Sequence, residues 1–292
     1  MKLSIGTAQF GMSYGISNYS GQISLPDAKE ILQFAYENDI SDLDTAAAYG
    51  EAEANLGQIG IQNFRITTKL ARLPNPVLSG DVSVSAWVRS ETLKSLQLLG
   101  QNEVYGLLLH QPADLFGNHG KALLHALEDV KSSGLTQKLG ISVYDSVNLP
   151  GLMALKNWDL VQAPLNIFDR RLQHSGWLDR LKDKGVEIHS RSVFLQGLLL
   201  TEMNTRPQKF KQWQSIWNEW DGWHTNRKQT KIGTCLAYIS SVKQVDRVVI
   251  GVDSLVHLKE IITQLKSAGS LDWPNLAIFP PQLLDPSRWS EL

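Results

Sequence analysis

The sequence holds a single cysteine, Cys235, among its 292 residues. One thiol excludes a disulfide framework within these residues, and its setting in Thr234-Cys235-Leu236-Ala237-Tyr238 reads as a buried, inert side chain. There is no basic block: 28 lysines and arginines stand against 29 aspartates and glutamates. That balance argues against a nucleic-acid partner, which needs a concentrated positive face. No apolar run reaches the roughly 18 residues of a membrane-spanning helix, so no membrane association is expected. The opening Lys2-Leu3-Ser4-Ile5-Gly6 also lacks an apolar stretch of signal-peptide length. A cytoplasmic protein is expected, and nothing in the sequence sets an oligomeric state.

What is present has an ordinary globular balance, 42% hydrophobic and 20% charged. Short β-rich runs alternate with longer amphipathic segments. Strands are expected at Leu3–Thr7, Asp42–Asp44, Arg65–Lys69, Tyr105–His110, Leu139–Val143, Leu160–Ala163, Val186–Arg191 and Arg247–Gly251. Helices are expected near Leu25–Asn38, Ala52–Ile59, Val82–Leu99, Gly120–Ser132, Leu178–Lys184, Lys231–Lys243 and Leu255–Lys266. About eight strand–helix units predict an α/β fold, a single (β/α)8 TIM barrel spanning 1–292 as one domain. One stretch breaks the rhythm: Ser192 to Lys231, after strand seven, carries Trp213, Trp217, Trp220 and Trp223. The first three follow helical spacing, which predicts an extra helix whose aromatic face seals the insertion onto the barrel. The competing expectation is that these aromatics wall a substrate pocket.

Four polar residues stand where predicted strands give way to loops: Asp44, Tyr49, Lys69 and His110. In a parallel barrel such positions converge on one site. A phenol ordinarily titrates near about pH 10, and an adjacent ammonium stabilises its ionised form. Lys69 is the candidate ammonium, with Asp44 holding it through a charge-assisted hydrogen bond. His110 is then placed to orient a carbonyl oxygen beside Tyr49. The set suits protonation of an alkoxide as hydride arrives at carbon, and hydride requires a cofactor because no side chain donates it.

These residues resemble the aldo-keto reductases. The resemblance runs nearly end to end, through Gly6-Thr7-Ala8-Gln9-Phe10-Gly11, the block from Asp44-Thr45-Ala46 past Tyr49-Gly50 to Leu56-Gly57, Thr68-Lys69 and Leu109-His110. It continues in Lys138-Leu139-Gly140-Ile141-Ser142, Val161-Gln162 with Asn166, Gln196-Gly197-Leu198-Leu199 and Val248-Val249-Ile250-Gly251. It implies an NADP(H)- or NAD(H)-dependent oxidoreductase that reduces a small carbonyl substrate, with Tyr49 as general acid. It further implies a cofactor side drawn from Gly6, Thr7, Asp44, Ser142 and Gln162. The later strands would add Arg191, Ser192, Gly197, Gly251, Asp253, Ser254 and His257. The segments Phe10–Ile16 and Asn166–Arg171 resemble a bacterial subgroup associated with surface-sugar biosynthesis, which suggests a sugar-like carbonyl.

Two departures from the family stand out. Val143 replaces the usual asparagine beside Ser142, and Arg191 replaces the tyrosine that commonly stacks on the nicotinamide. Arg191 is therefore expected either to alter the cofactor's redox balance or to reach an anionic substrate. After Gly251 a basic residue commonly meets the 2′-phosphate of NADP, whereas this chain has Val252-Asp253-Ser254. A carboxylate repels phosphate but accepts hydrogen bonds from a ribose diol, so NADH stays open beside NADPH. Asp253 or Ser254 is equally readable as a helix N-cap. The departures sustain one alternative, a nucleotide-binding regulatory or sensing protein with little turnover. A metal-dependent sugar isomerase would need a ligand cluster, for which Lys69 and Tyr49 are poor company, so no metal site is expected. Arg170 and Arg171 read as ion-paired surface residues in preference to an anion site.

Overall fold

The computed structural model describes residues 2–18, 20–74, 81–225, 227, 229–276 and 280–292, without side chains at 81–83 and 270. Eight parallel strands close into a barrel in sequence order: β1 (Lys2–Gly6), β2 (Asp42–Asp44), β3 (Arg65–Leu70) and β4 (Val104–Leu109), then β5 (Thr136–Ser142), β6 (Leu160–Pro164), β7 (Glu187–Arg191) and β8 (Arg247–Gly251). Closure is made by β1, which pairs with β2 through Gly6 opposite Asp44 and with β8 through Gly6 opposite Gly251. Both faces of each strand are covered, one by the barrel interior and one by helices. This is why runs such as Arg247-Val248-Val249-Ile250-Gly251 read as nearly continuous apolar segments.

The helices form where their caps and apolar stripes predict. Leu25–Glu37 begins at Ser24, whose hydroxyl accepts from the Asp27 amide at 3.3 Å, and it buries Ala28, Ile31, Leu32 and Ala35. The eight strands occur where they were expected, and His110 falls one residue beyond β4. One helix, Leu149–Leu155, was not expected between β5 and β6. Its first residues carry Pro150 and Gly151, which read as a turn, although proline is well tolerated in a first helical turn.

The insertion after β7 contains the helix Gln214–Thr225. Trp217 and Trp220 are fully buried against Phe168, at centroid separations of 5.5 Å and 5.4 Å. Their indole N–H groups donate to Phe210 O (2.9 Å) and Leu199 O (3.1 Å), so both rings are satisfied core residues. The C-terminal segment reinforces this packing: the Trp289 ring meets Phe210 edge to face at 4.9 Å.

The N-terminal end of the barrel is closed by charge. Arg65 donates to both Asp42 oxygens at 2.6 Å and 2.8 Å, and Arg247 bridges Asp42 at 3.2 Å and Glu187 at 3.9 Å. Glu187 also pairs with Lys138 and accepts from Tyr105 Oη at 2.6 Å, while His189 lies 2.8 Å away. Burial opposes ionisation of Glu187, but the hydrogen bonds from His189, Lys138 and Tyr105 win and hold its carboxyl well below the usual range. Polar groups at this end of a barrel serve stability. The opposite end carries the cavity.

Candidate active site

Asp44 is the last residue of β2, and its two oxygens reach the adjacent β3 and, across the barrel, β6. Oδ2 accepts from Lys69 Nζ and Oδ1 from Gln162 Nε2, each at 2.6 Å. Lys69, from β3, is fully buried and spends all three ammonium protons: on Asp44, on Thr45 O at 2.9 Å and on Tyr49 Oη at 3.4 Å. Burial disfavours its charge, but Asp44 and Tyr49 outweigh burial and hold the lysine above its ordinary value. The cation also lies 4.9 Å from the Tyr49 ring centroid.

Tyr49 is delivered by the loop between β2 and the helix Ala52–Ile59. The loop is clamped at Gly11: a side chain there would bring its Cβ within 1.9 Å of Tyr49 O and 2.2 Å of the Ala52 amide. Only glycine permits that approach. Gly50, at φ 57°, then turns the chain in the left-handed region. His110 stands edge-on to Tyr49, with ring centroids 5.8 Å apart and planes at 83°. Burial, then the charges of Lys69 and Arg191, push the imidazole down to about 4. It is therefore neutral near pH 7, with one N–H to donate and no positive charge.

A stability prediction follows from that value. The folded His110 takes its proton less readily than a free histidine at 6.5, so the unfolded chain binds the proton first. This group leaves stability unchanged above pH 6.5 and subtracts from it progressively as pH falls through that value towards 4. Urea unfolding of the wild type and His110→Gln at pH 7 and pH 4.5 should show the smaller acid-induced loss in the variant, by an amount of order 1 kcal/mol or more.

A cavity of about 400 Å³ opens over these groups at the C-terminal ends of the strands. That volume lies within the usual range for a ligand pocket. Tyr49, His110 and Asp44 line it on one side, Ser142, Gln162 and Arg191 on another, and Gly251, Asp253 and His257 at the far end. A family model described as "Aldo/keto reductase family" matches residues 2–270.

The chain belongs to the aldo/keto reductase family. It is accordingly an NAD(P)-dependent oxidoreductase of the carbonyl/alcohol pair. Solved aldo-keto reductases share the fold at low identity. One from Bacillus halodurans, in its holo form, is 18% identical with a TM-score of 0.70, over 91% of this chain and 86% of that one. Another, from Pseudomonas aeruginosa, is 19% identical with a TM-score of 0.66, over 91% and 90%. A thermostable aldo-keto reductase bound to the inhibitor epalrestat is 20% identical with a TM-score of 0.62, over 92% and 94%. No curated protein matches the chain significantly.

The cavity fits the nicotinamide dinucleotide that the family uses. One end holds Tyr49 and His110, and the other meets the N-terminus of the 13-residue helix Leu255–Ser267, where backbone amides suit a pyrophosphate. Gly6, Thr7, Ser192 and Gly197 line it as well. In this aldo-keto reductase Lys69 does not line the cavity and lies behind Tyr49, its Nζ 3.4 Å from the hydroxyl. Gln162 lines the cavity, yet its amide is committed to Asp44 at 2.6 Å, with Ser142 Oγ 3.5 Å from its Oε1. Ser254 is the N-cap, accepting from the His257 amide at 3.2 Å, and it does not line the cavity. Asp253 does line it and accepts from Gln9 Nε2 at 3.4 Å.

None of the insertion's tryptophans lines the cavity, and Trp217 and Trp220 belong to the core. Arg171 pairs with Asp169 at 2.6 Å, and Arg170 is spent on Ile167 O, Asn275 and Pro274 O, so neither of these arginines faces a ligand. Tyr14, Tyr144, Phe194 and Gln196 line the cavity without having been singled out from the sequence. They sit in loops, where no periodicity marks which side chain turns inward.

Proposed function

We propose that this chain reduces an aldehyde or ketone to the alcohol with Tyr49 as the proton donor. The observation that carries the proposal is the buried relay from Gln162 through Asp44 and Lys69 to the Tyr49 hydroxyl. When bound, the reduced nicotinamide supplies the hydride. The protein's part is to bring a proton to the carbonyl oxygen as charge develops there. Lys69 stabilises the phenolate that Tyr49 becomes on giving up its proton, and Asp44 fixes Lys69. Neutral His110 donates a hydrogen bond to the same oxygen without adding a competing acid. A nucleotide-sensing protein would gain nothing from a lysine buried behind a phenol, so the relay favours turnover. Residues 1–292 are read as one barrel domain. The test is oxidation of NADH or NADPH with a panel of aldehydes and ketones: steady turnover of any of them supports the reading, and nucleotide binding without turnover of any refutes it.

The same reading extends to the choice of nucleotide. Asp253 is the acidic side chain that lines the far end of the cavity, and burial holds His257 below its ordinary value despite Asp253 and Glu260. A 2′-phosphate there would meet a carboxylate with no lysine or arginine beside it among the described lining residues at that end, whereas a ribose diol donates hydrogen bonds to the carboxylate. NADH is therefore the proposed cofactor. Calorimetry should find NADH bound at least about tenfold more tightly than NADPH, equivalent to about 1.4 kcal/mol. Asp253→Asn should narrow that ratio, and a wild-type preference for NADPH would overturn the assignment.

A further inference from the structure

Arg191 ends β7 at the wall of the cavity; the buried Arg170 also lacks a carboxylate, but it does not line the cavity and is spent on Ile167 O, Asn275 and Pro274 O. Arg171, Arg206 and Arg247 each face a carboxylate, at 2.6 Å, 3.0 Å and 3.2 Å. Arg191 has no carboxylate within 4 Å among the described residues. Its guanidinium lies over the Tyr144 ring, 4.7 Å from the centroid. Two hydrogen bonds hold it there, from Nη2 to Val143 O at 3.1 Å and from Nη1 to Ser192 Oγ at 3.3 Å. A guanidinium carries five N–H donors, so three have no protein acceptor among the described residues. Cations withdrawn from water are ordinarily paired, because leaving one unpaired is costly.

A second donor faces the same space. Tyr14 accepts from Gln196 Nε2 at 2.9 Å, which leaves its own O–H proton without an acceptor among the described residues. Burial, and the neighbouring Tyr49, push this phenol up to about 12 even though Arg191 pulls the other way, so it stays a neutral donor. Tyr14, Tyr49, Tyr144 and Arg191 all line the same cavity. Arg191 likewise acts on His110. The β1 loop that carries Tyr14 is held against the β7 loop, by the Ile16 amide donating to Gln196 O at 3.1 Å. A fixed cation and a fixed hydroxyl donor therefore face the reacting groups across one cavity.

We propose that the carbonyl substrate carries an anionic group, a carboxylate or a phosphate, which is bound by Arg191 and Tyr14. This rests on the carbonyl-reductase reading and narrows its substrate class. The anion supplies the acceptors that the guanidinium and the phenol lack, and Tyr144 fixes the guanidinium plane for a two-pronged hydrogen bond. Neutral ligands of the same shape leave both donors unsatisfied.

The test compares ligand pairs that differ in charge: 4-hydroxybutyrate against 1-butanol, and glycerol 3-phosphate against glycerol. Each is titrated calorimetrically into the protein saturated with NADH and into the nucleotide-free protein, so that no turnover is required. The charged member of one pair should bind about ten- to a hundredfold more tightly, the worth of a hydrogen bond to a charged group. The pair that responds decides between carboxylate and phosphate. Arg191→Gln should bring the ratio to near unity, Arg191→Lys should keep part of it, and Tyr14→Phe should lower it severalfold. Tyr49→Phe should keep the ratio while losing turnover, which separates failure of the anion site from failure of the chemistry. The proposal is overturned if neither anion binds, or if the wild type does not discriminate. It is equally overturned if Arg191→Gln preserves the ratio or weakens both members of a pair alike.

Discussion

Tyr49→Phe is expected to lower kcat by about 10²–10⁴-fold, the usual contribution of a positioned acid. The substitution is conservative in every other respect. Phenylalanine keeps the ring, and with it the edge-on contact to His110 at 5.8 Å. Lys69 loses its weakest partner, the hydroxyl at 3.4 Å, and keeps Asp44 and Thr45 O at 2.6 Å and 2.9 Å. Nucleotide affinity by calorimetry and the unfolding midpoint should therefore change little. An interaction made only in the transition state lowers kcat and kcat/KM together, and that is the signature to seek. A loss smaller than about tenfold would remove Tyr49 as the acid, because the proton would then have another competent source.

Lys69→Met should destabilise the fold strongly. Methionine matches the length of the aliphatic stem, so packing is nearly preserved. What is lost is the cation beside Asp44, whose carboxylate is left buried with Gln162 Nε2 as its remaining side-chain donor. Breaking one side of a buried pair costs about 3–5 kcal/mol, because an uncompensated charge remains. The double variant Asp44→Asn/Lys69→Met removes that charge and should recover most of the stability, while turnover stays lost in both. Urea unfolding beside steady-state kinetics thus separates the structural role of the pair from its chemical one. If the double variant is as unstable as the single, the ion pair is not what holds this layer of the barrel. The pH dependence has a defined sign. Lys69 is raised above its ordinary 10.5, so its stabilisation is complete below that pH and is lost as pH rises through the higher folded value.

Much of this site is legible in the sequence because it sits at strand ends. A short β-rich run followed by a polar residue marks Asp44, Lys69 and His110 as points where the chain leaves the barrel, and closure brings those points together. Tyr49 is legible through its spacing from Asp44 and the glycine after it. The link from Gln162 to Asp44 is not legible, since it spans 118 residues and depends on barrel closure. Arg191 is visible as a departure from the family, but its lack of a carboxylate partner is a property of three dimensions. Tyr14 and Gln196 are less visible still, because the contact between them joins the first loop to the seventh. The tryptophan spacing places Trp217 and Trp220 on one helix face, whereas Trp213 ends the short 3-10 turn Gln208–Trp213 before the helix, and spacing alone does not say whether that face meets a ligand or Phe168. The charge network at the N-terminal end is scattered over six strands in sequence, and each of its members reads alone as an ordinary surface residue.

None of the nine tryptophans lines the cavity. Indole emission can then be quenched by a bound nucleotide only across space, through energy transfer to a ring that absorbs where indole emits. The reduced nicotinamide absorbs there and the oxidised one does not. Intrinsic fluorescence of this protein should therefore follow the redox state of its bound nucleotide, dimming with the reduced form and recovering as the ring is oxidised with the site still filled.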